Sequence, residues 1–219
     1  MSLSFDILDK TVCLLGKRGS GKSQLLHYII EQNRHLFKKI FLISPTESIK
    51  SFYADLIPKS NIFTEYSEEW IQKLIDRMSE LSAGKSSDEA DHVLLVLDDV
   101  TSDANLQQSP TMKILFQRGR HFFISVILTA QYMQGDTGIG PGCRNNLDYL
   151  LVNKINGQSL DLLVREFKLG LMSKEDFIEM YKNSTGNYNW LLVNNTSSSR
   201  EDDLNSIYGT IRVPDDKVK

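Results

Sequence analysis

Short apolar runs alternate along the chain with segments of helical spacing. TVCLLG, Thr11 to Gly16, is nearly continuously apolar and ends in glycine, the pattern of a short strand buried on both faces. From Lys22 to about Arg34, the spacing of Leu25, Leu26, Ile29 and Ile30 predicts a helix with one apolar face. KIFLIS, Lys39 to Ser44, predicts a second strand, stopped by Pro45. Ser67 with Glu68 and Glu69 forms an N-cap and acidic first turn ahead of Trp70, Ile71, Leu74, Ile75, Met78 and Leu81. AGKSSDEAD then reads as an exposed loop, and HVLLVLDD, His92 to Asp99, as a third strand closing on two carboxylates.

Ser109 and Pro110 stand at the N-cap and N1 of another helix that runs to about Gly119. FISVILT and YLLVNKI are the fourth and fifth strands, and helical patterns return at Leu160 to Phe167 and Lys174 to Tyr181. NYNWLLVNN predicts a late strand, which makes a small C-terminal β extension, TSSSREDD a polar surface loop, and the last residues a fraying tail. No internal repeat is visible. Strands alternating with helices place the chain in the α/β class, with a mainly parallel sheet flanked by helices.

Composition narrows the function classes. The 219 residues fit one domain, with a core at about 8–194 and a polar loop and tail at about 195–219. Hydrophobic content of 41% and charged content of 24% are globular values. Apolar runs such as Phe122 to Leu128 are too short to cross a bilayer, and MSLSFDILDK has no secretory pattern. Cys13 and Cys143 lack the spacing of a zinc site or a disulfide framework, and the histidines at 27, 35, 92 and 121 lack ligand spacing. A reducing, cytoplasm-like compartment is expected. The net charge of −3 confines any nucleic-acid contact to a local surface, such as a ring of loops in an oligomer.

GKRGSGKS, comprising Gly16, Lys17, Arg18, Gly19, Ser20, Gly21, Lys22 and Ser23, matches G-x-x-x-x-G-K-[ST] with a strand before it and a helix after it. In that context its backbone N–H groups cradle phosphate oxygens at a helix N-terminus. Lys22 reaches the β- and γ-phosphates of ATP, and Ser23 ligates Mg²⁺. A second acidic group for the metal belongs at the end of a neighbouring strand, where Asp98 stands. Where P-loop ATPases add a catalytic carboxylate, it follows that Asp and is usually Glu. Asp99 is one methylene shorter and requires a closer water; the competing reading is a cap on the following turn.

In such additional-strand ATPases a fourth strand lies between the P-loop strand and the metal-acid strand and ends beside the γ-phosphate. Gln131, after SVILTA, has that place, with both a donor and an acceptor to test phosphate and water; alternatively it only begins a loop. A GTP-binding reading would need N-K-x-D, but NKIN ends in Asn156, without the carboxylate. A transporter-type reading could use LSAGK before LLVLDD and TSD after it. It needs a longer helical insertion than lies between Lys22 and Asp98, and His where Gln131 stands. No Arg-rich lid supports a small-molecule kinase.

GKRGSGKS, VLLVLDD, GRHFFISVILTAQY and CRNNLDYLLV together resemble the genome-packaging ATPases of large and intermediate double-stranded DNA viruses and virophages, the poxvirus-type (A32-like) branch of the FtsK-HerA superfamily. The resemblance spans roughly Thr11 to Val152 and implies a RecA-like motor that forms a pentameric or hexameric ring on double-stranded DNA. It implies DNA-stimulated ATP hydrolysis, capsid or portal-vertex partners, and a place in the virus factory of the host cytoplasm or in the virion. Ring motors of this kind complete each site with an arginine from the neighbouring subunit. Arg120 matches that position best, with Arg118 and Arg144 in reserve, and a solvated surface charge is the alternative for each. The loop GDTGIGPGCRNN faces either DNA or a neighbour. Two rival functions are a slow nucleotide-dependent switch or scaffold protein and a cellular FtsK/HerA-like DNA pump.

Overall fold

The structure, a computed structural model, describes residues 6–100, 109–135, 138–168, 172–196 and 203–215. TSD at 101–103, residues 136 and 137 of GDTGIGPGCRNN, most of TSSSREDD and the last four residues lie outside these ranges. The strands are β1 (Thr11–Gly16), β2 (Lys39–Ile43), β3 (Ile62–Phe63), β4 (Val93–Leu97), β5 (Ile124–Ala130), β6 (Tyr149–Asn153), β7 (Asn189–Asn194) and β8 (Tyr208–Arg212). They form one sheet in the order β3-β2-β4-β5-β1-β6-β7-β8. From β3 through β6 every pairing is parallel, whereas β7 pairs antiparallel with β6 and β8 with β7. β5 thus lies between β1 and β4, with Leu15 opposite Ala130 and Leu97 opposite Leu128.

Helices cover both faces. α1 (Lys22–Asn33) packs Leu25, Leu26, Ile29 and Ile30 with Val12 and Leu14 in one apolar layer. A short α2 (Ile49–Phe52) follows β2. α3 (Glu68–Ser82), α4 (Pro110–Arg118), α6 (Gly157–Phe167) and α7 (Lys174–Ser184) supply the other layer, with Cys13 and Leu15 facing them from β1. The switch of face at each successive β1 residue is the two-residue period of a strand covered on both sides. α5 (Pro141–Arg144) and α8 (Leu204–Ile207) are single turns.

The expected caps form. Ser67 accepts from the Trp70 N–H at 3.2 Å, and Ser109 from the Met112 N–H at 3.1 Å with Pro110 at N1. The fraying tail is corrected for 203–215: β8 extends the sheet, Tyr208 donates to the Phe167 carbonyl at 2.7 Å, and Val213 is fully buried. Alternating exposure in β8, against the continuous burial of β1, is why its apolar signal is weak in the sequence.

Candidate functional site

In a parallel sheet the carboxyl ends of neighbouring strands share one edge, and ligands bind in the crevice outside it. β1 delivers Gly16 there, β4 delivers Asp98 and Asp99, and β5 delivers Gln131. Between β1 and α1 the chain turns through Gly19 and Gly21, with φ of 75° and 89°. Lys17, Arg18 and Gly19 are exposed and Ser20 is buried. Gly16 admits no side chain, since a Cβ there would lie 2.5 Å from the Asn153 carbonyl oxygen and 2.6 Å from Ser20 Oγ.

The loop is anchored from β6. Lys17 N–H donates to the Lys154 carbonyl at 3.1 Å, and the fully buried Asn153 amide donates to the Ser20 carbonyl at 3.2 Å. NKIN is therefore structural: Asn153 and Lys154 hold the phosphate loop, and Asn156 caps α6 by accepting from the Ser159 N–H at 2.8 Å. Lys22 Nζ curls over the loop and donates to the carbonyls of Gly16 at 2.6 Å and Lys17 at 3.3 Å. Burial pulls its ammonium below the ordinary value, and the charges of Asp99 and Asp98 pull the other way.

Asp98 is 4% exposed, and burial pushes its carboxyl above the ordinary range; the hydrogen bond from Thr129 offsets this in part and the neighbouring Asp99 adds to it. Thr129 is the residue that sequence reasoning passed over. Its hydroxyl donates to Asp98 Oδ1 at 2.7 Å and accepts from the Asp99 N–H at 2.9 Å, so one side chain on β5 sets both acids on the end of β4. A buried hydroxyl in an apolar strand, two residues before Gln131 and so on the same face, was the available signal. Asp99 has φ of 56°, a left-handed conformation in which Asp is enriched. Gln131 Nε2 donates to Asp99 Oδ1 at 3.1 Å.

The donor set fits magnesium. Mg²⁺ takes oxygen ligands from one or two carboxylates together with substrate phosphates, and Ser23 and Asp98 offer a hydroxyl and one buried carboxylate beside the phosphate loop. Among the described residues no cluster of three or more His, Cys, Asp or Glu could form a protein-only metal cage. The cysteines stay out of the chemistry: burial pushes the Cys143 thiol up to about 11, and that of Cys13 higher.

The three arginines fall elsewhere. Arg120 and Arg118 are exposed at the opposite, amino-terminal end of β5, where the Arg118 guanidinium lies 6.0 Å from the Phe122 ring centroid. Arg144 is 6% exposed and committed inside the protomer. It makes a paired bond to Glu166 at 2.8 and 2.9 Å and donates to the Met133 and Ile139 carbonyls. The expectation of Arg144 as a reserve finger is corrected: the guanidinium is buried, and four of its five N–H groups are spent on Glu166 and on the chain after β5.

Known proteins resemble this chain, some in sequence and others in fold. A family model described as Poxvirus A32 protein matches residues 6–216. Protein 075L of Invertebrate iridescent virus 6 is 30% identical over 199 residues, covering 90% of this chain and 75% of its own. Protein 015R of Frog virus 3 is 25% identical over 199 residues, again 90% of this chain but only 60% of its own length. Among solved structures, the genome packaging NTPase B204 of Sulfolobus turreted icosahedral virus 2, bound to AMPPCP, superposes with a TM-score of 0.64 at 16% identity, covering 93% of this chain and 97% of its own. The pCW3 conjugation coupling protein TcpA, with ATPγS, gives 0.61 at 13% identity, over 96% of this chain and 62% of its own. At these identities the superpositions show a shared fold.

Proposed function

The chain belongs to the Poxvirus A32 protein family, and from that premise we propose that it is an ATP-hydrolysing motor that drives double-stranded DNA into a viral capsid. The observation that carries this reading is the convergence of Lys22, Asp98, Asp99 and Gln131 at the carboxyl edge of one parallel sheet, with Thr129 fixing the two acids together. The solved B204 structure, a genome packaging NTPase of the same fold, supports it.

Each residue has a separate task. Backbone N–H groups of the 16–23 loop and the amino end of α1 hold the phosphates, and Lys22 leaves its carbonyl partners to meet the β- and γ-oxygens. Ser23 and Asp98 would hold Mg²⁺, which when bound would neutralise charge on the β- and γ-phosphates. Asp99 accepts the proton of the attacking water, oriented by the Gln131 amide, whose carbonyl oxygen can accept from the same water. Arg120, exposed ahead of β5, completes a neighbouring subunit's site in a ring of five or six copies; its exposure supports this role. Capsid or portal-vertex proteins are the assembly's partners, in the virus factory of the host cytoplasm.

DNA contact in such a motor runs through phosphates without base reading, so binding weakens steeply with salt and ignores sequence. The deciding experiment measures ATP turnover with and without duplex DNA while light scattering reports assembly state. Stimulated turnover in a ring supports the motor; stoichiometric hydrolysis by a monomer indifferent to DNA would replace it with a nucleotide switch.

A further inference from the structure

Two large apolar side chains stand exposed among the described residues, Tyr132 at 40% and Tyr188 at 38%. Tyr188 lies against the phosphate loop: a Cβ built on Gly21 would sit 2.9 Å from its ring Cδ1 and 3.1 Å from Cε1. Gly21 is therefore required twice, once for its φ of 89° and once to leave room for the ring.

The backbone that presents this ring is costly. Gly186, Asn187 and Tyr188 have φ of 107°, 45° and 61°, three consecutive residues in the left-handed region. For a bulky residue such as Tyr that conformation is an outlier, and strain of this kind concentrates at ligand-binding positions. The turn is closed by the Asn189 N–H on the Gly186 carbonyl at 2.8 Å and by the Val213 N–H on the Tyr188 carbonyl at 3.4 Å. The strained loop holds the ring against the phosphate loop yet leaves it 38% exposed at the edge of the site.

Position supplies the reason. β7 is antiparallel to β6, so the residue just before β7 stands at the same edge of the sheet as Gly16 and Asn153. In the order β4-β5-β1-β6-β7 the acids and Gln131 lie on one side of the phosphate loop and Tyr188 on the other. A nucleoside triphosphate whose γ-phosphate faces Asp98 and Asp99 directs its nucleoside toward β6 and β7. We infer that the Tyr188 ring is the platform on which the base of the bound nucleotide stacks. The inference rests on the phosphate-loop reading above and adds to it a source of affinity outside the signature motif. Stacking uses the flat face common to all bases, so this contact favours ATP and GTP alike and leaves base choice to other groups.

The test uses the full chain, calorimetry and three ligands with Mg²⁺: the β,γ-methylene analogues of ATP and GTP, and inorganic tripolyphosphate, which has no base. Tyr188→Phe keeps the ring, and Tyr188→Asn removes it with a residue that tolerates the left-handed backbone. Tyr188→Asn is expected to weaken both nucleotide analogues roughly tenfold and to leave tripolyphosphate unchanged, while Tyr188→Phe binds all three as the native chain does. Equal weakening of all three ligands would make the ring a mere prop for the loop and overturn the inference. So would unchanged binding of the two analogues. A native chain that bound none of the three would overturn the phosphate-loop reading and this inference with it.

Discussion

The Gln131 amide, one residue beyond β5, donates to Oδ1 of Asp99 beyond β4 at 3.1 Å. Residues 32 positions apart in sequence are thereby coupled across two adjacent parallel strands, at the edge where the phosphate loop opens. Asp99→Asn preserves the shape of the site and removes its proton acceptor. Nucleotide affinity is expected to stay native while turnover falls by about 10²–10⁴-fold. A fully active variant would end the general-base assignment. Gln131→Ala should lower ATP turnover and lose its stimulation by DNA, measured as turnover with and without a duplex; undiminished stimulation removes the sensor role.

Thr129 offers a test that leaves every charge in place. In Thr129→Val a methyl replaces the hydroxyl, so Asp98 Oδ1 and the Asp99 N–H both lose their partner. Each unsatisfied group costs about 1–3 kcal/mol. Turnover should drop at least tenfold in Thr129→Val and return in Thr129→Ser. If valine turns over like threonine, the hydroxyl does not position the acids.

Asp98 sets function against stability. Burial raises its carboxyl above the ordinary range, so at intermediate pH the folded state holds a proton that the unfolded state has released. Stability from this group is therefore lost as pH rises from the ordinary carboxylate range through the raised value. Asp98→Asn should melt higher than the native chain at neutral pH, by roughly 2–4 °C for each kcal/mol recovered, with the gain shrinking toward acid pH. The same variant should lose Mg²⁺-dependent turnover. Melting curves across pH without nucleotide check the first outcome, and an ATPase assay checks the second.

The arginines should divide by what they hold up. Arg144→Ala leaves the solvent-accessible Glu166 carboxylate without its paired donor and frees the Met133 and Ile139 carbonyls, a loss of about 1–3 kcal/mol for each buried carbonyl left unpaired, readable by urea unfolding. Arg120→Ala should unfold like the native chain yet fail to turn over ATP. Mixing it with Lys22→Ala subunits should restore part of the activity, because each would supply what the other lacks. No recovery on mixing would remove Arg120 as a residue acting on a neighbour.

Local pattern made much of this legible. Apolar runs ending in Gly16, Asp98 and Gln131 named the strand tips, and the serine caps at 67 and 109 named helix starts, because caps and strand periodicity are short-range physics. The position of β5 between β1 and β4 agreed with the expected order. What escaped depended on contacts distant in sequence: Thr129 under both acids, Asn153 beneath Ser20, Tyr188 against Gly21. Arg144 and Arg120 look alike as letters, and only burial against Glu166 separates a brace from an exposed cation. β8 is illegible in the sequence because an alternating, half-exposed edge strand carries little apolar signal.

β5 is buried at each of its seven positions and paired along both sides, so it cannot stretch or slide without breaking the sheet. At strand rise it is about 23 Å long, with Gln131 just past one tip and Arg120 just ahead of the other. It holds Gln131 and Arg120 apart at opposite edges of the sheet. A single residue added to or removed from β5 would change that separation and, because side chains alternate faces along a strand, would turn the Thr129 hydroxyl away from the two acids.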